Sequence, residues 1–201
     1  MSLVEDIVSE KYCCAVFNFR GCGESGGNID MKGWFDDLSA VVYRIYNTPG
    51  IDPKSIHCIG FSAGGAIAAK VASFEKNLQS LLLMASPQNF SDILPDDPWL
   101  LREHFRQIGL IRDDDFPQDI NRWYEDFLDL TPEQYLPFIS PRKLGIVHGD
   151  QDETVPPEHA QRLFDSACHP KKITMLEGAA HQLRKDPRTR QIIRDWLKEV
   201  R

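Results

Sequence analysis

The chain contains, at residues 56–69, the sequence Ile-His-Cys-Ile-Gly-Phe-Ser-Ala-Gly-Gly-Ala-Ile-Ala-Ala. Its first six residues predict a β-strand, and its later small residues predict a closely packed helix. The turn between them has the pattern Gly-x-Ser-x-Gly, with Gly60 and Gly64 on either side of Ser62. Only small residues fit around so tight a turn. We expect the Ser62 hydroxyl to be exposed there, beside the Ala63 amide at the helix N-terminus, where negative charge is favoured. The alternative is a glycine-rich turn with an incidental serine.

Along most of the chain, short apolar runs that predict strands alternate with segments whose apolar residues recur at helical spacing. The other predicted strands are Cys13 to Phe19, Leu81 to Ala85, Leu144 to His148 and Ile173 to Leu176. Apolar residues recur at helical spacing after Trp34, after Ala160 and after Ile192. Strands that alternate with helices indicate an α/β fold built on a mainly parallel sheet.

Residues 88–140 break this alternation. They contain five prolines and nine aromatic residues and no regular exchange of strand and helix. We interpret them as a helical insertion before the penultimate strand, forming a cap or lid. The length of 201 residues suits one domain, so residues 1–201 are expected to form a single domain that carries this cap.

The overall composition excludes several classes of function. The net charge is −7 and no basic run occurs, so a nucleic-acid partner is not expected. The sequence has no long apolar stretch of the kind that predicts a membrane helix. Five cysteines, an odd number without a Cys-x-x-Cys pair, favour a reducing, cytoplasmic location. The acidic run at 113–115 is interpreted as a solvated loop, and no metal or organic cofactor is implied.

A serine nucleophile needs a general base, and histidine is the first candidate. The six histidines are His57, His104, His148, His159, His169 and His181. His57 lies inside the predicted strand that leads to Ser62, so we expect it to be a packing or edge residue, and His104 lies within the aromatic segment. His148 ends a predicted strand and is expected to be structural. His159 and His169 flank a predicted helix and are expected to face solvent.

His181 is favoured as the base. It belongs to the loop Glu-Gly-Ala-Ala-His at 177–181, directly after the last predicted strand. In a parallel sheet this loop lies at the same carboxyl edge as Ser62, and that edge is where such sheets carry their sites.

The base needs an acidic partner that fixes its tautomer and stabilises its charged form. Asp150, Asp152 and Glu153 all follow the strand that ends at His148, so all three are candidates. The order serine, acid, histidine along the chain is the one expected for this arrangement. Asp150 could instead cap the next helix.

Three motifs, taken together, resemble the α/β-hydrolase superfamily, particularly its small esterases and its dienelactone-hydrolase-like and prolyl-oligopeptidase-like members. Residues 18–27, Asn-Phe-Arg-Gly-Cys-Gly-Glu-Ser-Gly-Gly, resemble the loop after the family's fourth strand. Residues 60–64 resemble its nucleophile elbow. Residues 148–156, His-Gly-Asp-Gln-Asp-Glu-Thr-Val-Pro, resemble a motif in which the aspartate three residues before Val-Pro is the acid. The resemblance therefore assigns the acid to Asp152.

The chain also departs from that family. It lacks the family's first three strands, and residues 1–11 resemble the end of the helix that follows the third. In the family the third strand leads into the loop that donates a second oxyanion amide, so the Ala63 amide is the only evident donor here. The missing strand would leave a gap between the strands at Cys13 and Ile56. We expect a truncated chain, direct pairing of these two strands, or a second chain in the gap.

These features predict a serine hydrolase that cleaves carboxylic ester or thioester bonds of small molecules through an acyl-enzyme intermediate. Ser62 would be the nucleophile, His181 the base and Asp152 the acid. A peptidase or acyltransferase with the same residues is one alternative. A catalytically impaired binding or assembly module is another, because the oxyanion strand is missing. An exposed sheet edge would also permit a homo-oligomer.

Overall fold

The computed structural model describes residues 3–9 and 12–201, apart from the side chains of Leu3, Asp6 and Ser9. Within these residues the sheet has four parallel strands in the order β1-β2-β3-β4. The strands are β1 (Ile56–Phe61), β2 (Leu78–Met84), β3 (Lys143–Gly149) and β4 (Lys171–Leu176). The predicted α/β class and parallel sheet are confirmed.

Seven helices accompany the strands in the described part of the chain. They are α1 (Leu3–Ser9), α2 (Met31–Tyr46), α3 (Ala63–Phe74), α4 (Pro98–Gln107), α5 (Ile120–Leu128), α6 (Glu158–Ser166) and α7 (Pro187–Glu199). Three short 3₁₀ helices lie at Pro132–Gln134, Leu136–Ile139 and Leu183–Lys185. An aspartate side chain accepts a hydrogen bond from a first-turn amide in α2, α4, α5 and α7, which fixes where each begins. None of these helices is long and apolar enough to cross a membrane.

The central strands are covered on both faces, and this explains their unbroken apolar sequence. Alternate residues of β2 contribute to two separate cores. Leu81 and Leu83 face the core shared with α2, α3 and α6, whereas Leu82 and Met84 face the core shared with α7. The sheet is therefore the middle layer of three, and the carboxyl ends of its strands all lie at one edge.

The strand predicted at Cys13 to Phe19 is wrong. Residues 12–19 have no regular secondary structure, and direct pairing with β1 is therefore also wrong. The Tyr12 ring contacts the His57 ring edge-to-face at 5.7 Å, and Phe19 stacks on Trp34 at 4.5 Å. Val16 is 71% exposed. A strand requires a partner for its backbone groups as well as β-prone side chains, and β1 is left as an edge of the described sheet.

The N-terminal helix predicted from residues 1–11 corresponds to α1 where the structure describes it; residues 1, 2, 10 and 11 lie outside the described residues.

Residues 88–140 contain α4, α5 and two 3₁₀ helices but no strand. Their buried side chains, including Trp123, Phe127 and Leu136, belong to the same core as those of α3. Just beyond the segment, the Arg142 guanidinium donates hydrogen bonds to the carbonyl oxygens of Ala72 and Glu75, at the end of α3, and of Leu78, at the start of β2. This segment therefore packs on the α3 face of the sheet.

Candidate active site

The turn at Ser62 is strained, as the sequence pattern predicts. Ser62 has φ 51° and ψ −131°, a backbone conformation that a residue with a side chain rarely adopts. It persists because the strand and the helix on either side hold it. A Cβ atom at Gly60 would lie 2.5 Å from the Cα atom of Gly65, so β1 and α3 can meet this closely only without side chains.

The second essential glycine is Gly65, which the Gly-x-Ser-x-Gly pattern does not include. A Cβ atom on Gly65 would lie 2.8 Å from the Ser86 hydroxyl oxygen, whereas one on Gly64 would meet only the ring of Phe19, at 3.4 Å. The sequence did hold a signal for this position, because a second glycine directly follows the pattern.

Two loops carry the other candidate residues, and hydrogen bonds join them. They follow β3 and β4 at the carboxyl edge of the sheet. Gly149 has no room for a side chain, because a Cβ atom there would collide with the Ala179 carbonyl group. The Gln151 amide donates to that carbonyl oxygen at 3.0 Å, and the Gly178 amide donates to Asp150 Oδ1 at 2.7 Å. Asp150 therefore fixes the β4 loop rather than capping a helix.

The three predicted side chains meet at this edge. His181 Nε2 lies 2.9 Å from Ser62 Oγ, and His181 Nδ1 lies 2.8 Å from Asp152 Oδ2. The Asp152 side chain has no exposed surface, and its Oδ1 accepts hydrogen bonds from the Thr154 and Val155 amides at 2.9 and 2.8 Å. Of the acids that sequence reasoning left open, Asp152 is the one within hydrogen-bond distance of His181.

The partners of His181 determine its tautomer. An ionised carboxylate only accepts hydrogen bonds, so Nδ1, which faces Asp152, carries the ring proton. Nε2 is then the acceptor and faces the Ser62 hydroxyl. Neutral His181 can therefore take the Ser62 proton, and Asp152 would stabilise the positive charge that results.

The amide of Ala63 lies beside this arrangement. Ala63 is the first residue of α3, so its N–H has no acceptor within the helix. The amide of Ser62 itself donates to the Met84 carbonyl oxygen at 2.8 Å and is already used. Ala63 thus presents a donor at a helix N-terminus, next to the Ser62 hydroxyl.

Among the remaining histidines, one differs from the expectation in its exposure to solvent. His169 is exposed, as predicted, and His57 lies in β1. His159 is only 3% exposed, so the prediction that it faces solvent is wrong. Its Nδ1 accepts a hydrogen bond from the Gln88 amide at 3.2 Å, because α6 turns this residue toward the loop after β2.

His148 is a site neighbour whose contact with the acid sequence reasoning missed. Its side chain has no exposed surface, and its Nε2 lies 3.2 Å from Asp152 Oδ2. Burial lowers the pKa of His148, which favours the neutral ring. The sequence signal for this contact was the position of His148 near the end of a strand, four residues before Asp152.

Comparison with known proteins identifies relatives of the chain by sequence and by fold. A family model described as alpha/beta hydrolase fold matches residues 1–144. The chain is 22% identical, over 185 residues, to YfhR, an uncharacterized protein of Escherichia coli O157:H7; the match covers 89% of this chain and 56% of YfhR. It is 27% identical over 200 residues to YuxL, an uncharacterized peptidase of Bacillus subtilis, covering 94% of this chain and 29% of YuxL.

Solved structures share the fold. The monoacylglycerol lipase of Paleococcus ferrophilus superposes with a TM-score of 0.73 at 19% identity, over 99% of this chain and 88% of the lipase. At that identity the likeness concerns the fold alone. The chain spans little more than half the length of YfhR and less than a third of YuxL.

Proposed function

We propose that this chain, which belongs to the α/β-hydrolase family, is a serine hydrolase that cleaves ester or thioester bonds through an acyl intermediate on Ser62. The observation that supports this most strongly is the unbroken hydrogen-bonded series from Ser62 through His181 to Asp152, at 2.9 and 2.8 Å. A hydroxyl, a correctly oriented imidazole and a buried carboxylate are the groups that nucleophilic acyl transfer requires.

In the first half of the proposed reaction, Ser62 Oγ attacks the carbonyl carbon of the substrate while His181 Nε2 takes the hydroxyl proton. The carbonyl π electrons move to oxygen, and the Ala63 amide donates to the resulting oxyanion. The intermediate collapses, the bond to the leaving alkoxide or thiolate breaks, and His181 gives that group its proton. The acyl group remains on Ser62.

In the second half, a water molecule takes the place of the leaving group. His181 Nε2 accepts one proton from the water as its oxygen attacks the acyl carbon. The second tetrahedral intermediate releases Ser62 Oγ, which regains its proton from His181, and the carboxylic acid product departs. Throughout, Asp152 would keep Nε2 directed at the reacting oxygen and stabilise the protonated imidazole.

We further propose that residues 88–140 form the cap over this site. Arg112 supports this, because its guanidinium donates to the carbonyl oxygens of Gly23 and Ser25 at 2.7 and 2.6 Å. These carbonyls belong to the loop that follows Phe19, whose ring lies against Gly64 beside the nucleophile. The segment would thereby fix one wall of the substrate site.

A fluorophosphonate probe tests the proposal directly. Ser62 Oγ would displace fluoride and form a stable phosphonyl adduct, detected as added mass on the peptide that contains residue 62. The control variant is Ser55→Ala, which removes an exposed hydroxyl on the loop before β1. We expect labelling of the wild type and Ser55→Ala but not of Ser62→Ala. A folded wild type that stays unlabelled, while a control esterase labels fully, would instead support a binding or assembly module.

A peptidase activity with the same residues is the second candidate, and the 27% identity to the B. subtilis peptidase across 94% of this chain favours testing it. Nitrophenyl esters of increasing acyl length and peptide anilides would be compared under the same conditions. We expect kcat/KM to be higher for the esters. A preference for the anilides would assign the chain to the peptidases.

A further inference from the structure

We infer that His148 is a positioning residue that holds Asp152 from behind and keeps its carboxylate directed at His181. The inference rests on the proposed function and adds a member to the same site. His148 has no exposed surface, so it would not touch a substrate and would act on the reaction through Asp152.

The contacts of His148 connect it to both parts of the turn that contains Asp152. Its Nε2 lies 2.8 Å from the Val155 carbonyl oxygen and 3.2 Å from Asp152 Oδ2. Val155 in turn donates its amide to Asp152 Oδ1 at 2.8 Å. The His148 ring thus contacts Asp152 Oδ2 directly. It also holds Val155, whose amide binds Asp152 Oδ1.

The chemistry of these partners fixes the state of the ring. A carbonyl oxygen only accepts hydrogen bonds, so Nε2 must carry a proton that points to Val155. Nδ1 is buried and has no hydrogen-bond partner among the described residues, so a second proton there would be left unpaired. His148 is therefore a neutral, fixed donor, and the positive end of its N–H dipole lies beside Asp152 Oδ2.

This arrangement matters because Oδ2 is also the atom that receives the His181 Nδ1 proton, at 2.8 Å. A small rotation of the carboxylate would lengthen that bond and turn the imidazole away from Ser62. Misplacement by about 1 Å can cost about 10²-fold in rate. We therefore expect loss of His148 to reduce kcat rather than substrate affinity.

Two substitutions separate positioning from packing. His148→Leu keeps an apolar side chain in the core but removes the donor, whereas His148→Gln can present an amide N–H close to the position of Nε2. The matched control is Ile146→Ala, two residues earlier on β3 and buried on the same face. It removes core volume but no hydrogen-bond donor. If His148→Leu does not fold, His148→Asn replaces it, since that side chain is polar but too short to reach Val155.

The measurements are kcat and KM for a nitrophenyl ester, and the far-downfield proton signal of the His181 Nδ1–H bound to Asp152. We expect His148→Leu to lower kcat about 10- to 100-fold, because a rotated Asp152 carboxylate would misplace His181 relative to Ser62, with KM changed less than about twofold. His148→Gln should recover most of kcat. The downfield signal should shift or broaden in His148→Leu and stay in place in His148→Gln and Ile146→Ala.

Equal losses of kcat in the Leu and Gln variants, or a loss no larger than that of Ile146→Ala, would overturn the role of His148. An inactive wild type would overturn the proposed function instead. The proton signal does not depend on turnover, so it would still decide the inference about His148: an unchanged signal in His148→Leu would overturn it.

Discussion

The carboxyl edge of β3 and β4 and the chain beside β1 make an instructive contrast. Two loops at the carboxyl edge interlock through Gly149, Asp150 and Gly178, and they bring His181 to Asp152. Residues 12–19, near the outer edge of β1, have β-prone side chains but no regular structure, and Val16 is largely exposed.

The contrast shows which sequence signals suffice alone. Parallel strands bring all their carboxyl ends to one edge, so polar residues placed just after two such strands become neighbours wherever the strands pair. A single apolar run does not by itself determine a strand. It becomes a strand only when another backbone offers its donors and acceptors, and residues 12–19 have none among the described strands.

The largest expected effect is at the carboxyl edge itself. Ser62→Ala, His181→Ala and Asp152→Asn should each lower kcat/KM for an ester about 10⁴-fold, because the three residues act together in the proposed reaction. The double variant of Ser62 and His181 should be scarcely worse than either single one. Asp150→Asn is the control: its retained oxygen can still accept from Gly178, so it should lose little. A larger loss for Asp150→Asn than for Asp152→Asn would reassign the acid.

The next largest effect is expected at the contact between the loops that follow β3 and β4. Gly149→Ala places a methyl group against the Ala179 carbonyl, so the β4 loop must move away and take His181 with it. We expect kcat to fall about 10²-fold, measured on protein whose circular dichroism matches the wild type. Gly26→Ala is the control, because a Cβ atom there has open space. An unchanged kcat in Gly149→Ala would show that the contact between the loops does not position His181.

A smaller effect distinguishes Gly64 and Gly65, the two glycines that follow Ser62 and Ala63. Gly65→Ala should cost about 1–3 kcal/mol of unfolding free energy, since its methyl group would overlap Ser86. Gly64→Ala should change it by less than about 1 kcal/mol, because its nearest neighbour is an ordinary contact with Phe19 and alanine favours a helix. Urea unfolding measures both. The opposite ranking would mean that the sequence pattern, rather than the observed packing, identifies the crowded position.

Acid should weaken the fold through three buried or half-buried histidines. Burial lowers the pKa of His57, His148 and His159 below the ordinary value of 6.5. The unfolded chain therefore binds more protons just below that pH, so their contribution is complete above about pH 6.5 and is lost as the pH falls. We expect the urea midpoint to drop between pH 7.5 and pH 5.5, and to drop less in His148→Gln. If the urea midpoint of that variant changed with pH as steeply as that of the wild type, a neutral buried His148 would be contradicted.

The smallest effect is expected beside β1. Val16→Ser should change the unfolding free energy by less than about 0.5 kcal/mol, because the side chain is mostly in water. Val147→Ser, at the centre of β3, should cost about 2–4 kcal/mol. Urea unfolding of the pair measures the contrast between paired and unpaired runs. Similar losses at both positions would show that residues 12–19 are buried in solution.

Sequence reasoning located the strands β1 to β4, the turn at Ser62 and the loop that carries His181, because each depends on a local pattern. It could not choose between Asp150 and Asp152 from spacing alone, since both follow the same strand. The choice depends on which carboxylate the turn at 152–155 directs inward. The burial of His159 and the contact of His148 with the acid depend on how α6 and β3 pack, which no local pattern records.

The central claim is that Ser62 carries the acyl group during turnover. The direct test mixes enzyme with a nitrophenyl ester, quenches in acid within milliseconds and identifies the modified peptide by mass spectrometry. We predict the acyl mass on the peptide that contains residue 62 in the wild type, and none in Ser62→Ala. Ester turnover by the wild type with an acyl group on another residue, or turnover retained in Ser62→Ala, would contradict it.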